Sequence, residues 1–150
     1  MNASRRHDRR GPARGPLLPS EVPRWRSRSE AFDQAVLDAY APINARWNSR
    51  LTHLDVAIDN VPRMHLRPDT IFPDEIVADG PIPLGRLIPA GVDQLGRPTR
   101  PCIVMFRRPL EKRATSRSEL DSLLTHVLTR LVAVHLNMNP HDINPGFDDD

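Results

Sequence analysis

Apolar residues recur with helical spacing at both ends of the chain and alternate in between. From Ser29, the stretch SEAFDQAVLDAYAPINARW sets Phe32, Val36, Leu37, Tyr40, Ile43 and Trp47 at three- and four-residue steps, the spacing of one face of an α-helix. Pro42 falls inside this pattern and predicts a bend or a division of the helix there. LTHLDVAIDNVP then alternates, with Leu54, Val56 and Ile58 on one face and His53, Asp55, Ala57 and Asp59 on the other. That is the signature of a half-buried strand ending before Pro62. Residues 62–83 carry Pro62, Pro68, Pro73, Pro81 and Pro83 and predict a long connection with a short element around DEIV, residues 74–77. LGRLIPAGVD reads as an interrupted strand, QLGRPTR as a turn and PCIVMFRRPL as the next strand, the two forming a hairpin with a loose connection.

Ser116-Arg-Ser-Glu119 has the form of a capping box opening the last helix. Asn137, suited to a left-handed cap, and Pro140 just beyond it predict where that helix stops. At about 100° per residue, Leu120, Leu123, Leu124, Val127, Leu128, Leu131, Val134 and Met138 form one apolar stripe, expected to pack on the sheet. His135 falls inside the stripe, as a histidine at the edge of a core. His126 falls on the other side, with Ser122, Thr129 and Ala133, as a solvated helix residue. The two histidines lie nine positions apart, half a turn out of phase, and cannot bind one metal from this helix.

Composition narrows the picture. A chain of 150 residues with 39% AVILMFWYC makes one domain with a modest core. The expected organisation is an Arg/Pro-rich disordered tail at 1–22, a folded domain at 23–145 and an acidic C-terminal tail at 146–150. The net charge is only +2, but it is uneven, with MNASRRHDRRGPARGP basic and FDDD acidic. The basic tail could touch nucleic acid through phosphates, yet its first 22 residues hold no aromatic residue for base stacking. Cys102 is the sole cysteine, which excludes an intrachain disulfide. Set in the strand-like CIVMF, it reads as a small buried apolar residue. The absence of any apolar run of about 18 residues, and of an apolar stretch after the N-terminal arginines, leads to the expectation of a cytoplasmic protein.

The order of these blocks is helix, alternating strand, Pro-rich loop, PLGRLIPAGVDQLGRPTRPCIVMFRRPLE, then a capped C-terminal helix ending near Asn-Pro. Together with RGPLLPSEVPRWRSRSEAFDQAVLDA, it resembles the minimal zincin-like metallopeptidase family in its actinobacterial branch, over residues 14–145. The resemblance implies an α+β fold with an N-terminal helix, a small mixed sheet and a long capped C-terminal helix. It also implies zinc as the family's cofactor, held by a helical His-Glu-x-x-His-His-Phe-Gly motif whose first two histidines bind the metal and whose glutamate polarises water.

Placing Asn137 at the family's glycine puts Arg130, Leu131 and Val134 at its His, Glu and His, with His135 at the extra histidine and Leu136 at the Phe. The downstream acidic ligand then falls on Pro140, beside His141 and Asp142. A second register puts His126, Val127 and Arg130 at His, Glu and His. Neither holds the ligand set, because arginine is a fixed cation that cannot ligate zinc.

The leading expectation is therefore a protein of this family without catalytic residues, metal or other cofactor, in which His126 and Arg130 line a groove for an acidic peptide or protein. Two alternatives stand beside it. One is an active metallopeptidase with the non-standard ligands His126, His141 and Asp142. The other is nucleic-acid binding through the basic tail. Because residues 1–22 carry no apolar pattern to bury, deleting them should leave the melting temperature within about a degree of the full chain. A drop of several degrees in a thermal melt would show that the tail packs on the domain.

Overall fold

The computed structural model describes residues 28–62 and 74–147, with side chains from Glu30 onward. The basic tail, most of the Pro-rich connection and the last three aspartates lie outside the described residues. Helix α1 spans Arg28–Leu51 and buries Phe32, Ala35, Val36, Ala39 and Ile43 along one face. Pro42 stays on the solvent side and does not divide the helix. The break comes at Trp47, whose φ of −117° leaves the helical region and whose indole N–H donates to the carbonyl of Ile143 at 3.1 Å.

Among the described residues the strands that follow are β1 Asp55–Asp59, β2 Ile76–Asp79, β3 Ile82–Ile88, β4 Gly91–Val92, β5 Pro98–Thr99 and β6 Cys102–Phe106. Four of them form a mixed sheet in the order β1-β6-β3-β2. β1 runs parallel to β6, from Asp55 beside Cys102 to Asp59 beside Phe106. β3 runs antiparallel to β6, with Gly85 beside Met105 and Leu87 beside Ile103. The hairpin expected between the LGRLI and CIVMF blocks is this pairing. β4 and β5 pair only with each other and form the arm between the two strands. At its turn the Asp93 side chain accepts from the backbone N–H groups of Leu95 and Arg97, both at 2.9 Å. Val92 and Leu95 stand out on this arm, 69% and 75% exposed.

The sheet is buried more evenly than the alternation predicts. Val56, Ile58, Leu87, Ile103 and Met105 face the main core. The opposite face is buried as well: Ala57, beside Val104 in the parallel register, is 1% exposed, and Asp59, beside Phe106, 8%. β1 is thus covered on both sides, and the expected polar face of this strand is corrected. His53 lies in the turn before β1 rather than in the strand, and its carbonyl accepts from Arg100 Nε at 3.3 Å.

Two further elements depart from the sequence reading. The element expected around DEIV is β2, and it forms a hairpin with β3 through Gly80-Pro81. Gly80 there has a φ of +61°, a conformation that glycine adopts without strain. PCIVMFRRPL is not one strand: β6 stops at Phe106, and Arg107–Arg113 form helix α2. Pro109 lies in the first turn, where its missing N–H costs no helical bond. Arg107 pairs with Glu111 one turn on at 2.9 Å.

Helix α3, Arg117–Leu136, and the short α4, Pro140–Ile143, complete the fold. Ser116 caps α3 by accepting from the Glu119 N–H at 3.1 Å. The glutamate of the expected box reaches one residue further back, to the Thr115 N–H at 2.8 Å. Asn137 ends the helix with φ +56°, and Met138 N donates back to Ala133 O at 2.9 Å, a Schellman closure. The predicted stripe holds, with Leu124, Val127, Leu128 and Leu131 all at 0% exposure. The other side is not solvated as expected. Thr129, Val132 and Ala133 are buried too, because α1 and α4 pack on α3 in addition to the sheet. Among the described residues, no helix is long and apolar enough to cross a membrane.

Helix α3 comes close to the sheet at Gly85. A β-carbon there would lie 2.9 Å from Val127 Cγ1, 3.2 Å from Leu131 Cδ1 and 3.3 Å from Met105 Sδ. Gly85→Ala should therefore destabilise the domain by about 1–3 kcal/mol, read as a lowered urea midpoint with an unchanged slope. An unchanged midpoint would mean that α3 can move away from β3 at little cost.

Candidate functional site

A groove of about 870 Å³ lies between edge strand β2, the end of α2, the first half of α3 and the chain's C-terminal segment. Val77 and Asp79 line it from β2, Arg113 from α2, and Glu119, Asp121 and His126 from α3. Arg113 Nε meets Asp79 Oδ2 at 2.9 Å, linking the sheet edge to α2 through a solvent-exposed pair. Glu119 is fixed by its bonds to Thr115, and these hold its carboxyl below the usual range. Of the three lining carboxylates, Asp79 pairs with Arg113 and Asp121 with Arg117, both at 2.9 Å, while Glu119 is held by Thr115 rather than by a guanidinium, a balance that leans slightly towards neutral or basic ligands.

Of the two residues expected to line a groove, His126 does so and Arg130 does not. Arg130 is exposed elsewhere on α3; it lies one turn beyond His126, but the helix carries it past the groove's end. His126 is not a solvated side chain as the angular reading expects. Its ring stacks on Phe147, centroids 4.9 Å apart and planes 16° from parallel. His141 meets the same phenyl ring edge-on at 5.3 Å, with its Nδ1 3.0 Å from Asn139 Oδ1. The structure therefore brings His126 and His141 together around an aromatic ring, with Asp142 exposed on the surface of α4. Among the described residues, no three His, Cys, Asp or Glu side chains are grouped as a metal site.

Phe147 is what sequence reasoning missed. It sits inside the stretch expected to be an acidic tail, yet it is 7% exposed, so packing extends at least to this residue. A signal was present in Asn144-Pro145-Gly146, a turn sequence. It folds the chain back, with Gly146 N donating to Asn144 Oδ1 at 3.1 Å and Phe147 N to Asn144 O at 2.9 Å.

The positions matched to the zinc motif do not suit a metal. Leu131 is wholly buried in the core, Val134 packs against it and Arg130 carries a fixed positive charge. His135 is half-buried at the core edge, as expected, and burial followed by the nearby Arg50 charge lowers its pKa.

With this arrangement of helix, mixed sheet, edge-strand groove and long C-terminal helix described, the comparison with known families is direct. The chain belongs to the zincin-like metallopeptidase family, whose profile matches residues 51–148. No curated protein matches the chain.

Cys102 is the first residue of β6, outside the groove lining, and is half-buried rather than buried as expected. Burial, and then the Asp55 charge, push its thiol up to about 11. Its alkylation by iodoacetamide at pH 8 should run about a hundredfold slower than that of an exposed thiol and accelerate only as pH approaches that value, because the thiolate is the reacting form. Rapid labelling at pH 8 would show that β6 opens locally.

Proposed function

We propose that this zincin-like domain is a peptide-binding module that does not perform zinc-dependent peptide hydrolysis. The observation that carries the reading is the position of β2, a sheet edge among the described residues that also forms one wall of the groove. An extended peptide laid along such an edge satisfies its own backbone donors and acceptors by strand addition, while its alternate side chains enter the groove. The lining favours a different peptide from the one first expected. With Arg130 outside the lining, Asp79 and Asp121 each paired with an arginine, and Glu119 held by Thr115 instead, a basic or neutral strand is the better match. The chemistry of the donor set supports the non-catalytic part. Zinc hydrolysis needs ligands, an open coordination position and a general base, and leucine and valine at two motif positions offer no donor atom.

Titration of the isotopically labelled protein with blocked extended peptides tests both parts. A Lys-containing peptide should shift the amides of Ile76 to Asp79 and bind several-fold tighter than its Glu-containing counterpart at low ionic strength, with the gap narrowing as salt is added. The same peptides should survive prolonged incubation. Cleavage abolished by a chelator would overturn the non-catalytic reading, and shifts confined to residues away from β2 would overturn the groove reading.

A further inference from the structure

Phe147 is buried, yet it is not part of the contiguous apolar core that includes its neighbour Ile143. Its ring lies in the wall of the groove, delivered there by the Asn144-Pro145-Gly146 turn. Two imidazoles from two different elements bracket it. His126 of α3 lies face to face with it, and His141 of α4 meets it edge-on. Both separations fall in the range of favourable aromatic pairs. Asn139 fixes His141 by accepting from its backbone N–H at 2.9 Å and by contact with its ring nitrogen. The turn that carries the phenyl ring is short and its other residues, Pro145 and Gly146, are exposed. These features describe a slot between two imidazoles, filled by a flat ring carried on a short, exposed turn.

We propose that the His126–His141 slot is the groove's subsite for an aromatic side chain of a bound peptide, and that Phe147 is its built-in occupant, which the incoming ring must displace. The inference rests on the peptide-binding reading of the groove. A peptide added along β2 would place an aromatic side chain where the phenyl ring now sits. The apparent affinity would then be reduced by the fraction of time the slot is closed. Phe147 would thereby set a threshold, so that a strand without an aromatic residue binds β2 alone and only one that fills the slot gains the additional contact.

The test uses the full chain, its Phe147→Ala and Phe147→Leu variants, and two blocked peptides of otherwise identical Lys-containing sequence, one with Phe and one with Ala at the central position. Imidazole resonances of His126 and His141 report the slot, and the amides of Ile76 to Asp79 report the edge strand. The Phe peptide should move the imidazole resonances, and Phe147→Ala should tighten its binding by roughly tenfold, with little change for the Ala peptide. Phe147→Leu, which keeps bulk but loses the ring, should fall between. If both peptides shift the β2 amides equally and neither moves the imidazoles in any variant, the aromatic subsite is wrong while the groove reading survives. If neither peptide reaches β2, the groove reading itself fails. Loss of the fold in both variants would make Phe147 a structural residue and overturn its role as a displaceable occupant.

Discussion

The contact between α3 and β3 at Gly85 governs the geometry of the domain. A missing β-carbon lets Val127 and Leu131 come down onto the strand beside Met105, bringing the long helix against the middle of the sheet. Once α3 lies there, its first half runs past the edge of β2, and the space left between them is the groove. α1 and α4 then cover flanks of α3 that the sheet does not reach. The same close packing fixes Leu131 in the core, where it fills the space over Gly85 rather than standing in an open cleft.

Much of this architecture was legible in residue patterns. The last helix could be placed at both ends because its caps are chemical signals: Ser116 ahead of Glu119, and Asn137 ahead of Pro140. The strand pairing of the LGRLI and CIVMF blocks followed from their strand-like apolar runs and the turn between them. Burial was read less well, and for one reason: periodicity reports the strongest apolar face and is silent on a second one. Ala57, Thr129 and Ala133 are small enough to pass as neutral in a pattern, yet small side chains are what allow another element to approach. α2 was hidden because Arg107-Arg108-Pro109 carries no apolar periodicity, and the start of a helix at Arg107 has no side-chain cap to announce it.

The candidate site was legible in part. His126 belonged to the groove by its angle on α3, but Arg130, one turn further on, did not, because angle alone says nothing about where a groove ends along the helix axis. The pairing of His126 with His141 could not be foreseen as an aromatic contact. It depends on a return of the chain at Asn144-Pro145-Gly146 that juxtaposes residues distant from one another in the sequence. Phe147 was overlooked because its neighbours are acidic, and composition averages over a window in which a single ring decides the local structure.

The position of β6 inside the sheet has a consequence for how the molecule comes into being. Among the described residues it is the strand that touches both β1 and β3, and it comes last of the described strands in chain order. As the polypeptide leaves the ribosome, the β2–β3 hairpin can close early from local contacts. β1, by contrast, has no strand to pair with among the described residues until Cys102–Phe106 appears some forty residues later. The sheet, and with it the floor on which α3 settles, must therefore assemble in a late step dominated by contacts between distant parts of the chain, the kind of ordering that slows folding. Until then the apolar face of β1 waits in solvent, which makes the interval before β6 emerges the period when the nascent chain is most exposed to misassociation.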